Sequence, residues 1–199
     1  MKTLGIVTAR AGSKRLPKKN IIPFKKMHYG LPWQALSTLL SSDVDDVVLT
    51  TDILELQTAA EKVFAGKVGV INRKPELAQD DTKHVDVIKD VLDKFKGFSH
   101  FVLVQPTSPL VSVSDINFCL SLLREKDLPG VFSVNPALKP NGAIYAVKTQ
   151  DFLEQGTLFP KGAGIYVMPW EKSVDVDEWH DLIVAEAVVY GRVWGFKCK

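Results

Sequence analysis

Short apolar runs alternate along this chain with segments whose apolar positions recur every three or four residues. Residues 3–8 (TLGIVT), 46–51 (DVVLTT), 67–71 (KVGVI) and 100–105 (HFVLVQ) are almost continuously apolar, the signature of strands buried on both faces of a parallel sheet. Between them, residues 36–41, 54–64, 85–95 and 116–124 carry helical spacing, with Asp115 after Ser114 placed to cap the last of these. The pattern then changes: 130–134, 143–147 and 164–168 follow one another as strands with only 151–154 helical, which predicts a mixed sheet. A final helix over about 178–190 sets Leu182, Ala185, Val188 and Val189 on one face. With no repeat, low-complexity tract or linker, the expectation is one α/β domain over residues 1–199, a three-layer α/β/α sandwich with a mostly parallel, mixed sheet. Such sheets bind ligands beyond the carboxyl ends of their strands. The segments to watch are therefore 9–20, 51–52, 72–81 and 106–109.

Composition narrows the class. The chain has 199 residues, 46% hydrophobic and 24% charged, ordinary for a soluble globular domain and unlike disorder, collagen or coiled coil. A chain of this size buries roughly 70% of its unfolded surface, so a core forms without disulfides. Cys119, on the apolar face of a predicted helix, reads as a buried thiol, and Cys198 as an exposed tail residue. The net charge of +2 conceals a split: Arg10, Lys14, Arg15, Lys18, Lys19, Lys25 and Lys26 give residues 10–26 a charge of +7, leaving −5 elsewhere. A compact cationic site on a mildly acidic body suits a small polyanion better than a long nucleic acid. No run of about 18 apolar residues reads as a membrane span, and Met1-Lys2 leads straight into a strand, so a cytoplasmic location is the default expectation.

The loop from Ala9 to Asn20 is the strongest chemical signal. Gly12 removes a Cβ where backbone amides would meet a phosphate, and Arg10, Lys14 and Lys19 supply charge to neutralise a triphosphate and its leaving pyrophosphate. The loop lacks both G-x-x-x-x-G-K-[ST] and G-x-G-x-x-G, which disfavours a P-loop ATPase and a dinucleotide oxidoreductase; composition alone also allows a solvated basic loop. Asp175 and Asp177, two apart in an extended segment, present both carboxylates to one side, the arrangement for a hard cation. Asp177 is equally placed to cap the final helix. Gln105 ends a strand with an amide that can both donate and accept, or simply stops the sheet before Pro106. Ser108, flanked by prolines, reads as a cap or a nucleotide contact. Asn141-Gly142 reads as a turn. The four histidines show no metal spacing and are assigned to surface or local hydrogen bonding.

The stretch R-A-G-S-K-R-L-P-K-K-N resembles the signature of the cytidylyltransferases that activate sialic acids and related nonulosonic acids. Further blocks are similar to that family in the same order: Thr50-Thr51-Asp52; Arg73 with Pro75-Glu76-Leu77-Ala78 and Asp80; Gln105 to Leu110 (QPTSPL); Lys139 to Tyr145 (KPNGAIY); and Ser173 to Asp177 (SVDVD). The resemblance implies a nucleotide-binding, Rossmann-like fold and the reaction of CTP with a sugar acid to give CMP-sugar and pyrophosphate, assisted by Mg2+. It implies that Ala9, Arg10, Ala11, Gly12, Ser13, Lys14, Lys19 and Asn20 face the nucleotide, with Arg73, Asp80 and Ser108 also on the nucleotide side. Gln105, Lys139, Asn141 and Gly142 are implied on the acceptor side. Asp175 and Asp177 are implied as Mg2+ ligands, one of them helping to deprotonate the attacking hydroxyl, and with Arg10, Lys14 and Lys19 they make up the catalytic set.

Two departures stand out. Only Asn135-Pro136-Ala137-Leu138 occupies the place of a long excursion through which that family dimerises and grips the sugar carboxylate, so a homodimer loses its usual basis. Lys139 stands where the family has arginine, keeping charge without the planar fork. Residues 27–33 also replace the family's entry to the first helix, with Trp33 expected as a buried anchor. A 3-deoxy-octulosonate cytidylyltransferase is a poorer match, lacking QPTSPL. A catalytically inactive nucleotide-binding relative is disfavoured by retention of Lys14, Lys19, Asp175 and Asp177. An RNA-binding domain is disfavoured by the absence of aromatics among the basic residues. Lys18, Lys25 and Lys26 have no assigned role.

Overall fold

The computed structural model describes residues 1–25 and 29–193; Lys26 and Cys198 lie outside them. Seven strands form one sheet: β1 (Thr3–Ala9), β2 (Asp46–Thr51), β3 (Val68–Asn72), β4 (His100–Val104), β5 (Gly130–Val134), β6 (Pro140–Lys148) and β7 (Gly164–Val167). Their spatial order is β3-β2-β1-β4-β6-β5-β7. The first four strands are parallel, and β6 runs antiparallel to both β4 and β5. β7 is parallel to β5, so β6 alone reverses the sheet. The mixed sheet expected from the crowded later strands is therefore present, and so are its parallel first four members.

The described residues form six α-helices, α1 (Gly30–Leu40), α2 (Leu54–Phe64), α3 (His84–Lys94), α4 (Val113–Glu125), α5 (Thr149–Gln155) and α6 (Trp179–Val193), of which the first five pack on this sheet. Period-two alternation in β1 shows how the layers arise. Leu4 and Ile6 pack with Ile88 and Val91 of α3 and Phe152 of α5. Val7 and Ala9 point the other way, toward Leu36 and Leu39 of α1, Leu56 of α2 and Ile116 and Leu120 of α4. A third cluster joins Leu16, Phe24 and Leu31 to Leu110, Val176, Leu182 and Ala185, and clamps α6 beside the loop after β1. Trp33 is buried against Tyr29 and Phe64, as an anchor should be. Cys119 is fully buried, and burial pushes its thiol up to about 12, so it is unreactive. Among the described residues, no helix is long and apolar enough to cross a membrane.

Two helix starts differ from expectation. α1 begins at Gly30, six residues before the predicted 36, because Pro32 is tolerated in a first turn whose amides need no partner. α4 begins at Val113 with Ser112 as its N-cap, so Asp115 is not the cap; it is the third residue of a capping box. There it accepts hydrogen bonds from the Ser112 amide at 2.8 Å and hydroxyl at 2.6 Å. The same carboxylate takes the Tyr166 hydroxyl of β7 at 2.6 Å and the Lys172 ammonium at 2.7 Å. Burial would raise its pKa, but Lys172, Ser112 and Tyr166 together hold it below the ordinary value. Asp115 thus ties three elements that precede the 173–177 segment. Asp115→Ala removes a cap and strands the Lys172 ammonium, and should cost about 2–4 kcal/mol in urea unfolding. Tyr166→Phe, which leaves the ion pair, should cost about 1 kcal/mol.

Candidate active site

β1 and β4 are neighbours, and the chain leaves them in opposite directions, so their carboxyl ends open a crevice at the point where strand order reverses. A cleft of about 510 Å³ lies there, lined by Arg10, Lys14, Arg15 and Lys19 on one side, Gln105 and Thr107 below, and Asp175 and Asp177 opposite. Arg73, Asp80 and His84 close the end beyond β3.

The loop after β1 is held from both sides. Asp52 accepts the Ala11 amide at 2.9 Å, and Asn20 donates to the Arg10 carbonyl at 2.9 Å. The Ser13 amide donates to the Ala11 carbonyl, so two of the amides predicted to face a phosphate are engaged within the protein. At Gly12 nothing in the protein demands glycine: a Cβ would meet only the Arg10 side chain, 3.5 Å away. Arg10, Lys14, Arg15 and Lys19 all turn into the cleft, and each meets a carboxylate. Asp80 bridges Arg10 at 2.7 Å and Lys14 at 2.5 Å. Asp177 bridges Arg15 at 2.6 Å and Lys19 at 3.0 Å, and Lys19 also donates to the Val176 carbonyl at 2.9 Å. Asp177 does not cap α6: the Asp181 carboxylate takes the amides of Asp177 and Glu178 instead, freeing the Asp177 side chain for the cleft.

Asp175 differs from Asp177 in its surroundings. Water reaches it, yet the protein around it raises its carboxyl above the ordinary value; the Thr107 hydroxyl opposes this and the Asp177 charge adds to it. Tyr145 lies near enough for the Asp175 charge to add to the burial that raises its phenol. Arg73 is buried and donates to the Thr50 carbonyl at 2.7 Å; burial lowers its guanidinium to about 10, still charged at neutral pH. Asn20 Oδ1 and Ser108 Oγ are buried without hydrogen-bond partners. An unmade bond of that kind costs about 1–3 kcal/mol, which marks Asn20, on the cleft wall, as an acceptor awaiting a donor.

The four predicted acceptor contacts fare differently. Gln105 lines the cleft, and Gly142, at φ 75° in an irregular stretch of β6, lies beside it, with the Gln105 amide nitrogen 3.9 Å from where a Cβ would stand. Lys139 is exposed in the β5–β6 turn, its backbone bonded to Asn135, and does not line the cleft. Asn141 faces inward to structure: it accepts from Ser133 at 2.6 Å and donates to Ser173 at 3.2 Å, tying β5 and β6 to the segment that ends in Asp175 and Asp177. The histidine assignment holds for His84 and His180, which are exposed, and for His100, bonded to Ser99, while His28 lies outside the described residues; His84 in addition lines the cleft. It opens α3 at the cleft wall, where desolvation first, then Arg73 and Arg10, lower its imidazole below the usual value. Its place one residue after Lys83, at a helix start following a strand, was the available sequence signal. Lys25, unassigned from sequence, donates to Gln34 and lies over the Phe24 ring.

At the switch point of the sheet a cationic loop thus meets two carboxylates from a distant segment. The chain belongs to the cytidylyltransferase family, whose model matches residues 4–154. It is 28% identical to N-acylneuraminate cytidylyltransferase of Streptococcus agalactiae serotype III (strain NEM316), an alignment covering 92% of this chain and 52% of that protein. The chain thus spans about half the length of that relative. It is 27% identical to CMP-N,N'-diacetyllegionaminic acid synthase of Legionella pneumophila, covering 95% of this chain and 97% of that one. The solved structure of CMP:2-keto-3-deoxy-manno-octonic acid synthetase complexed with CTP shares the fold at a TM-score of 0.74, with 17% identity over 96% of this chain and 100% of that chain.

The environment of His84 gives a measurable consequence. Its imidazole signals should titrate in NMR with a midpoint below 6.5, and Arg73→Ala, which removes a neighbouring cation, should move that midpoint up.

Proposed function

We propose that this cleft transfers the cytidylyl group of CTP to the anomeric hydroxyl of a sialic-acid-like 2-keto sugar acid, releasing pyrophosphate. The observation that carries this reading is the gathering of Arg10, Lys14, Arg15 and Lys19 with Asp175 and Asp177 in one cleft at the sheet's switch point. The names borne by the relatives support the choice of cytidine and of a sugar acid.

In this reading Arg10, Lys14 and Arg15 exchange their carboxylate partners for phosphate oxygens, Lys19 adds its remaining ammonium donor while keeping its link to Asp177 and Val176, and together they offset the charge that builds on the leaving pyrophosphate. Asn20, through its unpartnered Oδ1, accepts from the nucleoside, and Arg73 and His84 form the wall against which that nucleoside lies. Gln105 donates to and accepts from acceptor hydroxyls, and Gly142 keeps the space above it open. The anomeric oxygen forms its bond to the α-phosphorus as the α–β phosphoanhydride bond breaks, and its proton passes to a carboxylate. Asp175 suits that task, since the protein around it raises its carboxyl above the ordinary value. Lys139 takes no part, and Asn141 acts by holding the 173–177 segment.

Asp175 and Asp177 also fit Mg2+. Among the described residues no group of three or more His, Cys, Asp or Glu forms a closed metal cage. Two carboxylates with room for phosphate oxygens and water are what a hard ion that dehydrates reluctantly requires. When bound there, Mg2+ would neutralise phosphate charge in the transition state. Both substrates are charged and water-soluble, in keeping with a reaction in the cytoplasm.

The test is pyrophosphate release from each of the nucleoside triphosphates with Mg2+ across a panel of 2-keto sugar acids. CTP with at least one sialic-like acid should give release, and no release from any pair would contradict the reading. Asp177→Asn should lower kcat by about 10²–10³-fold with the circular dichroism spectrum unchanged.

A further inference from the structure

We propose that Asp80 is a built-in competitor for the phosphate subsite, holding Arg10 and Lys14 in the place of a phosphate group and returning to them as pyrophosphate departs. The inference rests on the triphosphate reading of the cleft and assigns Asp80 a role opposite to that of a nucleoside contact.

Three observations carry it. Each oxygen of the Asp80 carboxylate takes one cation, Oδ1 with Arg10 at 2.7 Å and Oδ2 with Lys14 at 2.5 Å, so one anion spans the two cations of the loop after β1 as two phosphate oxygens would. The pairs are open to solvent, with the Asp80 side chain 44% and Lys14 82% exposed, so they are weak and exchangeable. The Lys19–Asp177 pair contrasts with them, being mostly buried and doubled by the bond to the Val176 carbonyl. Finally, Asp80 is placed by its own loop. A 3-10 turn at Pro75–Leu77, the Gln79 amide on the Pro75 carbonyl and the Thr82 hydroxyl on the Glu76 carbonyl order residues 75–82 without help from the two cations. The carboxylate therefore stays beside the subsite and competes with any anion that enters it.

The consequence falls hardest on the product. Pyrophosphate has no base or ribose and depends on the cations alone, so a resident carboxylate that reclaims Arg10 and Lys14 favours its release. CTP bears the same displacement cost and meets it with nucleoside contacts.

Titration calorimetry of the full chain with inorganic pyrophosphate, and separately with CTP, tests this. Asp80→Asn should tighten pyrophosphate binding about three- to tenfold, tighten CTP binding in the same direction, and lower the inhibition constant of pyrophosphate in turnover. Asp81→Asn removes the same charge next door from a residue with no ion pair among the described residues, and should change affinity less than about twofold. Unchanged or weaker pyrophosphate binding in Asp80→Asn overturns the proposal, as does equal tightening in Asp81→Asn. Weaker CTP binding with pyrophosphate unchanged would make Asp80 a nucleoside ligand instead. Failure of pyrophosphate and CTP to bind any of the three proteins would remove the triphosphate reading itself, and this inference with it.

Discussion

The ammonium of Lys19 joins two parts of the chain 157 residues apart, donating to the Val176 carbonyl and meeting the Asp177 carboxylate. It has little exposure, and beneath it Leu16, Val176 and Leu182 belong to one apolar cluster. Without that link the basic loop after β1 and the acidic segment before α6 would be two separate surface features. With it they become opposite walls of one cleft, whose separation is set by a bond of known length and a packed floor.

The rest of the architecture serves that juxtaposition. The parallel strands bring the ends of β1 and β4 together at the switch point, and the single reversed strand, β6, carries Asn141 and Gly142 to the same edge. Asn141 then reaches Ser173, while Asp115 fixes Tyr166 and Lys172, so the 173–177 segment is restrained from three directions before it enters the cleft. On the other wall, Asp52 and Asn20 restrain the loop by its backbone. Side chains that must exchange partners are left exposed, and the groups that position them are buried or bonded to main chain.

The strands were legible because strands buried on both faces leave nearly unbroken apolar runs, and each was placed to within a few residues. Helix starts were less so. Asp115 reads as the cap of α4 in sequence, and only the bond it accepts from the Ser112 amide shows it to be the partner of the cap. That Arg10, Lys14, Lys19, Asp175 and Asp177 line one cleft was legible in part, from the run of basic residues after β1 and from two acids two residues apart in an extended segment. The pairing of Asp80 with Arg10 and Lys14, and of Asp177 with Arg15, was not, because it depends on loops far apart in the sequence meeting in space. The place of His84 on the cleft was illegible for the same reason: its cationic neighbours come from the loops after β1 and β3. Lys139 was misplaced because a basic residue in a short hairpin turn points to solvent whatever its motif suggests.

The central claim is that one cleft holds a nucleoside triphosphate between the loop after β1 and the 173–177 segment. A crystal structure of the full chain with CTP and Mg2+ addresses it most directly. The account predicts phosphate oxygens on Arg10, Lys14 and Lys19, with the α-phosphate nearest Asp175 and Asp177. CTP bound with its phosphates away from those cations, or on another face of the sheet, would contradict it.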